Sequence, residues 1–128
     1  MQLLHDLWTP DQPLPDGGLL REMSRRVLAG WGHGEWADGI RFGYNGRLRR
    51  SLGRAFFKEG RIDLNPRLLT ANPSQVIPTL VHELAHIVAY RLFGEVAAHG
   101  MHFRALMAKA GFRGRATVRL RQPVANSQ

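Results

Sequence analysis

The sequence predicts one small α+β domain, and three features of the chain lead to this fold class. Its 128 residues, of which 44% are hydrophobic and 22% charged, suffice for one modest core but not for two. Apolar residues recur at helical spacing near the start of the chain and again in its second half. Between these parts, short segments alternate apolar and polar residues as strands do. We therefore expect about three helices packed with a small antiparallel sheet.

The N-terminal part of the chain is expected to be an extended segment followed by a helix. Residues 1–18 include a stretch rich in proline, glycine and polar residues, which is typical of an unpacked lead-in. Four apolar residues then recur at helical spacing, and they are Leu20, Met23, Val27 and Trp31. This pattern predicts an amphipathic helix that ends near Gly30 or Gly32.

Three strands are predicted in the middle of the chain. The alternating segment 40–44 runs into Asn45-Gly46, the dipeptide that most readily supplies the positive φ angles of a tight hairpin. A second strand is expected between Arg47 and Phe57, and a third from Arg61 to Leu64 after another turn. Because tight turns join successive strands, the sequence predicts a three-strand antiparallel meander.

A long helix is predicted to follow the sheet. Asn72 and Gln75 have the spacing of a capping box, and Gly94 is the expected stop after Phe93. Pro78 conflicts with a regular helix because it removes a backbone hydrogen bond, so we expect a bend or a later start there.

The last predicted elements are a helix and a basic edge strand. From His99 onward apolar residues return to helical spacing, with Gly111 as the stop. Arginines at positions 115, 119 and 121 then alternate with apolar residues. The expected organisation is a single domain over residues 19–122 and a tail of residues 123–128.

The stretch His82-Glu83-x-x-His86 lies within the predicted long helix and suggests a metal site. Two histidines four residues apart lie about 40° apart around a helix and about 6 Å apart along it, so both rings can reach one ion. Zinc in a hydrolytic site takes three protein ligands and keeps one position for water. Glu83 is placed to accept a proton from that water.

The third ligand must come from elsewhere, and the absence of cysteine restricts it to imidazole or carboxylate. His99 is the leading candidate because Gly94 ends the helix and lets the chain turn back, and His102 is its rival. His102 has an alternative role in orienting the ligands. Tyr90 lies one turn beyond His86. Its side chain either faces a substrate or packs against the fold.

The charge of the chain is +8, from 18 basic and 10 acidic residues. Most of the cations are arginine, which suits phosphate groups, although arginine also keeps a surface solvated. Arg115, Arg119 and Arg121 are a candidate for non-specific contact with DNA, and equally a device against edge-to-edge aggregation.

The sequence gives no indication of a membrane partner. No apolar run approaches the roughly 20 residues needed to cross a bilayer. The first residues show no basic flank followed by an apolar segment and a small-residue cleavage site. A cytoplasmic location is therefore expected.

Three stretches together resemble the SprT-like zinc metalloprotease domain, a family that includes bacterial SprT and the DNA-protein crosslink protease Spartan. They are GRIDLNPRLL, VHELAHIVAYRLFG and HGMHFRALM, and the resemblance spans about residues 19 to 112. It implies a minimal zincin-like fold, with His82, His86 and His99 binding one Zn²⁺ per chain and Glu83 as the catalytic base. It favours His99 over His102, because the family's third histidine precedes a glycine and, three positions later, an aromatic residue.

The resemblance also implies where a substrate would lie. In zincins the substrate backbone commonly follows a sheet edge, so strand Arg61–Leu64 is a candidate for that role. Many SprT proteins carry a cysteine-rich zinc ribbon, and the resemblance does not extend to one in this cysteine-free chain.

The leading functional hypothesis is a zinc-dependent endopeptidase that acts on proteins, including DNA-associated or DNA-crosslinked proteins. The alternative is a basic nucleic-acid-binding module in which zinc is mainly structural and turnover is negligible. A third hypothesis, a peptidase for short peptides or another amide hydrolase, has the same metal site and differs only in the cleft.

Overall fold

A computed structural model describes residues 4–112 and 120–123 of the chain. This part contains three strands, four α-helices and two 3₁₀ turns, the latter at Gly34–Gly39 and Pro73–Gln75. The strands and α-helices, in chain order, are α1 (Gly17–Gly30), β1 (Arg41–Tyr44), β2 (Gly53–Phe56), β3 (Arg61–Leu64), α2 (Pro66–Ala71), α3 (Val76–Phe93) and α4 (Met101–Lys109). The predicted α+β class is confirmed.

The three strands form a mixed sheet in the order β1–β3–β2. β1 runs parallel to β3, and β2 runs antiparallel to it. The predicted antiparallel meander is therefore wrong, because no tight hairpin forms after β1. Instead, residues 45–52 form a loop that crosses the end of β3, where the Asn45 N–H donates to the Leu64 carbonyl at 2.8 Å.

A buried asparagine stabilises this crossing loop. Asn65 is 1% exposed, and its Nδ2 donates to the carbonyls of Leu48 and Ser51 at 3.2 and 3.0 Å. Its Oδ1 accepts hydrogen bonds from two backbone N–H groups of α2, both at 3.1 Å, which makes it the N-cap of that helix. Helix α2 was not predicted from the sequence, although Pro66 suits its first position.

The core lies between the sheet and helices α1 and α3, and the N-terminal residues contribute to it. Leu4 and Trp8 are at most 1% exposed, and Trp8 Nε1 donates to the Pro13 carbonyl at 2.8 Å. Although residues 1–18 are predicted to be an extended segment ahead of the domain, Leu4 and Trp8 pack into the core and α1 already begins at Gly17. The Trp8 indole has a large apolar surface, and its burial in the core is favourable.

Helix α3 begins late and ends where predicted. The expected capping box does not form, since neither Asn72 nor Gln75 makes a side-chain cap hydrogen bond. Pro78 consequently lies in the first turn of the helix, where a backbone N–H has no partner within the helix. The prediction of a later start is confirmed. Gly94 ends the helix in the left-handed conformation with φ 65°.

The C-terminal part of the described chain is helix α4 and a short segment beyond it. Residues 113–119 lie outside the described part, so the predicted basic strand stays a prediction. The backbone of Arg121 pairs with the side chain of Asn72 through two hydrogen bonds of 2.6 and 2.7 Å. Within residues 4–112 and 120–123, no helix is both long and apolar enough to cross a bilayer.

Candidate metal centre

The candidate metal centre is built on helix α3, which is buried along most of its length. Eleven of its eighteen residues are buried, so the helix is held firmly by the core. His82 and His86 remain partly accessible on one face, and their ring centroids lie 4.9 Å apart. The helix therefore presents two neighbouring imidazoles at the protein surface, as the sequence predicts.

The structure brings His99 to these two histidines. One ring nitrogen from each of the three residues lies within 4.8 Å of the others. The Nε2 atoms of His82 and His99 are 3.2 Å apart, close to the roughly 3.3 Å expected between two nitrogen ligands of a tetrahedral zinc ion at 2.0–2.1 Å. The donor set therefore fits a divalent metal. His99 has a φ of 57°, an unusual backbone conformation for a residue other than glycine.

The electrostatic environment keeps two of the imidazoles neutral. Burial, followed by the neighbouring imidazoles, lowers the pKa of His82 to about 4. Burial also lowers the pKa of His86 to about 4, with a further contribution from His99. A neutral imidazole has the free lone pair that a metal ligand requires, so these two residues are ready to coordinate a metal at neutral pH.

Phe103 of α4 forms an apolar wall against the three histidines. Its ring stacks on His86 with centroids 4.4 Å apart, and it meets His82 edge-on at 4.9 Å and His99 at 5.0 Å. The side chain is only 5% exposed. The helical spacing of apolar residues after His99 predicts only a packing role for Phe103, so its place in the site was not predicted. The signal was the aromatic residue that follows the third histidine in the HG-x-x-F stretch.

Glu83 is the buried carboxyl group next to this centre. It is 7% exposed, and burial raises its pKa to about 7. A hydrogen bond involving the backbone of Ala55, in β2, acts in the opposite direction. A carboxyl group with a pKa near neutral pH is suited to accept and return a proton. Strand β2 and helix α3 thus position this group together.

A loop carboxylate fixes the segment that carries His99. Glu95 Oε2 accepts a hydrogen bond from the His102 N–H at 3.0 Å, and Oε1 accepts one from the Phe103 N–H at 2.9 Å. Burial tends to raise the pKa of Glu95, but these backbone hydrogen bonds and the His102 imidazole outweigh it and lower the pKa. A Cβ atom on Gly100 would lie 2.6 Å from the Glu95 carboxyl carbon, so a side chain at position 100 would displace this carboxylate.

His102 lies beside the metal centre but outside its group of three histidines. Its Nδ1 is 3.1 Å from Glu95 Oε2, and its ring stacks on Phe93 with centroids 3.8 Å apart. The structure therefore gives His102 a part in holding the loop. Tyr90 packs its ring against Phe57 with centroids 4.7 Å apart, and its substrate-facing alternative stays a prediction.

The strand expected to receive a substrate is in the wrong place for that role. β3 lies in the centre of the sheet, with β1 and β2 paired to its two edges. The expectation for Arg61–Leu64 is therefore wrong, because its backbone hydrogen-bonding groups are already used by neighbouring strands. The error follows from the predicted meander, which placed β3 last and at an edge. β2 is the edge strand that contacts α3 beside Glu83.

The sequence of this chain matches the SprT-like family over residues 21–122. The chain belongs to the SprT-like family. The match includes every strand of the sheet, both helices of the metal centre and all three clustered histidines.

Proteins similar to this SprT-like chain include Protein SprT from several bacteria. The one from Glaesserella parasuis serovar 5 (strain SH0165) is 41% identical over 59 residues, which is 45% of this chain and 38% of that protein. The one from Photorhabdus laumondii subsp. laumondii is 46% identical over 58 residues, 44% of this chain and 30% of that protein. The chain thus matches about a third of the length of these curated relatives.

A solved structure has a fold similar to that of this chain. The crystal structure of the metallopeptidase zymogen of Pyrococcus abyssi abylysin is similar with a TM-score of 0.54 and 23% sequence identity. The similarity covers 70% of this chain and 77% of that one. The two proteins therefore share a fold, and at this identity the comparison shows the fold alone.

Proposed function

We propose that this SprT-like chain is a zinc-dependent endopeptidase in which Glu83 is the general base. The observation that carries the proposal is the group of three histidine nitrogens within 4.8 Å of one another, built on the same helix as a buried carboxyl group. Three imidazoles and one open position are the donor set of a hydrolytic zinc site. His82, His86 and His99 would hold one Zn²⁺ per chain.

The residues of the chain divide the chemistry of peptide hydrolysis between them. Zinc, when bound, supplies a Lewis acid that lowers the pKa of water and polarises a carbonyl group. Glu83 accepts one proton from the attacking water as the new C–O bond forms at the scissile carbonyl carbon. It then donates that proton to the leaving nitrogen as the C–N bond breaks. Phe103 keeps bulk water from one side of the histidines.

The substrate class that we propose is a polypeptide. The outer edge of β2 offers backbone groups to an extended chain, and this edge lies beside Glu83. More specifically, we propose that the substrates include DNA-associated or DNA-crosslinked proteins. In that proposal Arg115, Arg119 and Arg121 supply a non-specific contact with DNA.

The test is cleavage of an unfolded protein such as casein by the zinc-loaded chain, with Glu83→Gln as the comparison. We expect the variant to bind zinc with wild-type stoichiometry and to lose at least about 100-fold in rate, as general-base catalysis contributes roughly 10²- to 10⁴-fold. Chelation should abolish wild-type cleavage, and added zinc should restore it. Wild-type rates in the variant would rule out the assignment of Glu83.

The DNA-associated substrate needs a separate comparison. The same protein is offered free and crosslinked to DNA, and both cleavage rates are measured with the wild-type chain and with Glu83→Gln. Faster cleavage of the crosslinked form would support the specific proposal, whereas equal rates would leave a general endopeptidase.

A second candidate function is nucleic-acid binding with a mainly structural zinc, and the charge of +8 favours it. Under this alternative the chain binds DNA with a strong salt dependence while protein substrates remain intact. DNA binding by wild-type and Glu83→Gln alike, with no cleavage by either, would select this function over the peptidase.

A further inference from the structure

His99 has an unusual backbone conformation. Among the described residues other than glycine, it alone has a positive φ, of 57°. In this left-handed conformation Cβ lies too close to a backbone carbonyl oxygen, so residues with a side chain rarely adopt it. Such a conformation persists only where the surrounding structure stabilises it. Contacts around His99 are therefore needed to keep its imidazole beside His82 and His86.

Glu95 stabilises the segment that follows His99, but it does not hold His99 directly. Its carboxylate accepts hydrogen bonds from the N–H groups of His102 and Phe103, three and four residues further along the chain. Within the described part of the chain, Glu95 makes no hydrogen bond with His99. The conformation of His99 itself therefore depends on another contact.

Arg104 makes a direct contact with His99. Its Nη1 donates to the His99 carbonyl oxygen at 2.7 Å. Arg104 is the fourth residue of α4, and its own N–H donates to the Gly100 carbonyl at 2.9 Å, which closes the first turn of the helix. The side chain thus turns back past the start of the helix. Because the peptide unit is planar, fixing this oxygen fixes the peptide plane after His99 and restrains the backbone there.

Neither helix electrostatics nor ion pairing explains the location of Arg104. The N-terminal end of a helix carries a partial positive charge, so a cation near it is unfavourable, whereas Lys109 in the last turn of α4 is favourable. Arg104 makes no ion pair with any residue that the structure describes. Its hydrogen bond to the His99 carbonyl is therefore the interaction that accounts for where the guanidinium group lies.

We propose that Arg104 is a positioning residue for His99, the third histidine of the candidate metal centre. This inference rests on the proposed zinc site and assigns a further residue to it. The hydrogen bond restrains His99 in the left-handed conformation, so that its imidazole is in place before a metal binds. Preorganised ligands bind more tightly because less conformational freedom is lost on binding. In this role Arg104 contacts neither substrate nor metal and acts through His99 alone.

Two other roles account less well for the contact that Arg104 makes. A solvated surface charge gains nothing from one fixed geometry, since an arginine side chain loses conformational freedom when it is held. A substrate carboxylate would be bound by the guanidinium group through two parallel hydrogen bonds, yet Nη1 is already engaged with the His99 carbonyl. The positioning role explains this bond directly, so it is the better match.

The charge of Arg104 and its hydrogen bond have opposite effects on zinc affinity. The carbonyl and the imidazole of His99 belong to one residue, so the guanidinium group lies within about 10 Å of that imidazole. A positive charge at this distance repels a divalent cation, so its removal alone should tighten zinc binding. Loss of the hydrogen bond should weaken zinc binding instead. A salt concentration of about 1 M, where the Debye length is roughly 3 Å, suppresses the effect of the charge.

The test compares the zinc affinity of the full chain with that of three variants. Arg104→Met keeps an unbranched side chain and removes the charge and all the donors. Arg104→Lys keeps a cationic donor. Lys109→Met is the matched control, because Lys109 is an exposed cation of the same helix that lies about 7.5 Å further along the axis. Competition with a chromophoric chelator at about 0.1 and 1 M salt measures the affinity, and circular dichroism melting verifies folding.

A second measurement needs no metal. A positive φ places the amide proton of a residue close to its own α proton, which gives a strong intraresidue nuclear Overhauser effect. We expect this strong signal for His99 in the metal-free parent chain. In Arg104→Met it should weaken, as His99 samples the extended conformations that residues with a side chain prefer. Lys109→Met should match the parent chain.

We expect Arg104→Met to lose about 5-fold in zinc affinity at high salt. This is less than the roughly 10-fold at the lower end for groups bonded directly to a ligand side chain, because the Arg104 bond is exposed and reaches the backbone of His99. Arg104→Lys should lie between Arg104→Met and the parent chain. Lys109→Met should bind zinc as the parent chain does.

Equal or tighter zinc binding by Arg104→Met at high salt would overturn the proposal, and so would an equal loss in Lys109→Met. Unchanged zinc affinity with a raised KM for a peptide substrate would replace the positioning role by a substrate contact. These outcomes leave the proposed function intact. A parent chain that binds no zinc would remove the proposed function and this inference with it.

Discussion

Glu95 and His102 are joined twice, through the backbone N–H of His102 at 3.0 Å and through its Nδ1 at 3.1 Å. The same carboxylate also accepts the Phe103 N–H and lies against Gly100. One side chain from the loop therefore holds the first turn of α4, and the first turn of α4 holds His99 and Phe103 at the metal centre. The position of His99 therefore depends on a residue that does not itself belong to the group of three histidines.

The first prediction concerns this carboxylate. Replacing Glu95 by Ala removes three hydrogen-bond acceptor contacts and loosens the turn that carries His99. We expect zinc affinity to fall by about 10-fold, the lower end of the loss for a group bonded directly to a ligand, because Glu95 holds the turn and does not contact a ligand. Competition with a chromophoric chelator measures the effect. Glu59→Gln, in an exposed turn, is the control. Unchanged affinity in Glu95→Ala would contradict the role of this contact.

The second prediction concerns the stability of the metal-free chain. The pKa of Glu83 is about 7 in the folded state, and its reference value for the unfolded state is 4.5. Between pH 4.5 and 7, Glu83 keeps its proton in the folded state but not in the unfolded state. Its contribution to the free energy of unfolding therefore falls as pH rises. At 1.36 kcal/mol per unit, the loss is about 3 kcal/mol by pH 8.

Glu83→Gln has no such proton to lose, so its stability relative to wild type reports this effect alone. We expect nearly equal free energies of unfolding near pH 4, and a variant more stable by about 3 kcal/mol near pH 8. Urea denaturation in the presence of a chelator provides the measurement. A difference that does not change with pH would show that Glu83 ionises as an ordinary carboxylate.

The third prediction concerns the histidines of α3. In the metal-free folded chain, His82 and His86 should titrate with midpoints of about 4, because burial disfavours their charged forms. In the unfolded chain they should titrate near 6.5. Between pH 4 and 6.5 the unfolded state therefore binds more protons than the folded state. The contribution of these residues to the free energy of unfolding rises with pH in this range. NMR titration of the imidazole signals, assigned with His82→Asn and His86→Asn, tests this. Folded-state midpoints near 6.5 would refute it.

The fourth prediction concerns the contact between β2 and α3. A Cβ atom on Gly53 would lie 2.9 Å from Thr79 Cγ2, so Gly53→Ala forces the strand away from the helix. We expect a loss of about 1–3 kcal/mol in the free energy of unfolding. Gly46→Ala, which meets nothing within 4 Å, is the matched control.

A rescue experiment distinguishes this contact from a general effect of alanine. Thr79→Ser removes the methyl group, so the double variant should be more stable than the sum of the two single changes predicts. Chemical denaturation of all four proteins gives the coupling free energy. Strict additivity would mean that the steric contact is not the cause.

Several local features of this chain follow from neighbouring residues and were therefore predictable. The stop of α3 at Gly94 and the late start around Pro78 depend on backbone preferences that act within one turn. The pairing of His82 with His86 depends only on helix geometry. The grouping of His99 with them was predicted as well, because a short connection limits where the chain can return.

The order of the strands was not predictable in the same way. Asn45-Gly46 favours a hairpin locally, but Asn65 binds Leu48 and Ser51 from a distant part of the chain and stabilises a crossing loop instead. This competition is between a local preference and long-range hydrogen bonds, and a single sequence does not reveal its outcome. The wrong meander then misplaced the substrate edge on Arg61–Leu64.

The sequence by itself predicted the three candidate ligand histidines, the helical spacing of His82 and His86, and Glu83 as the proposed base, because these depend on side-chain chemistry and on the geometry of one helix. Tertiary structure decided that β2 borders Glu83, that the Phe103 ring packs against the histidines, and that the Glu95 carboxylate holds the loop of His99. The physical reason is that these relationships join residues far apart in the chain, and only the packing of the whole core fixes their distances.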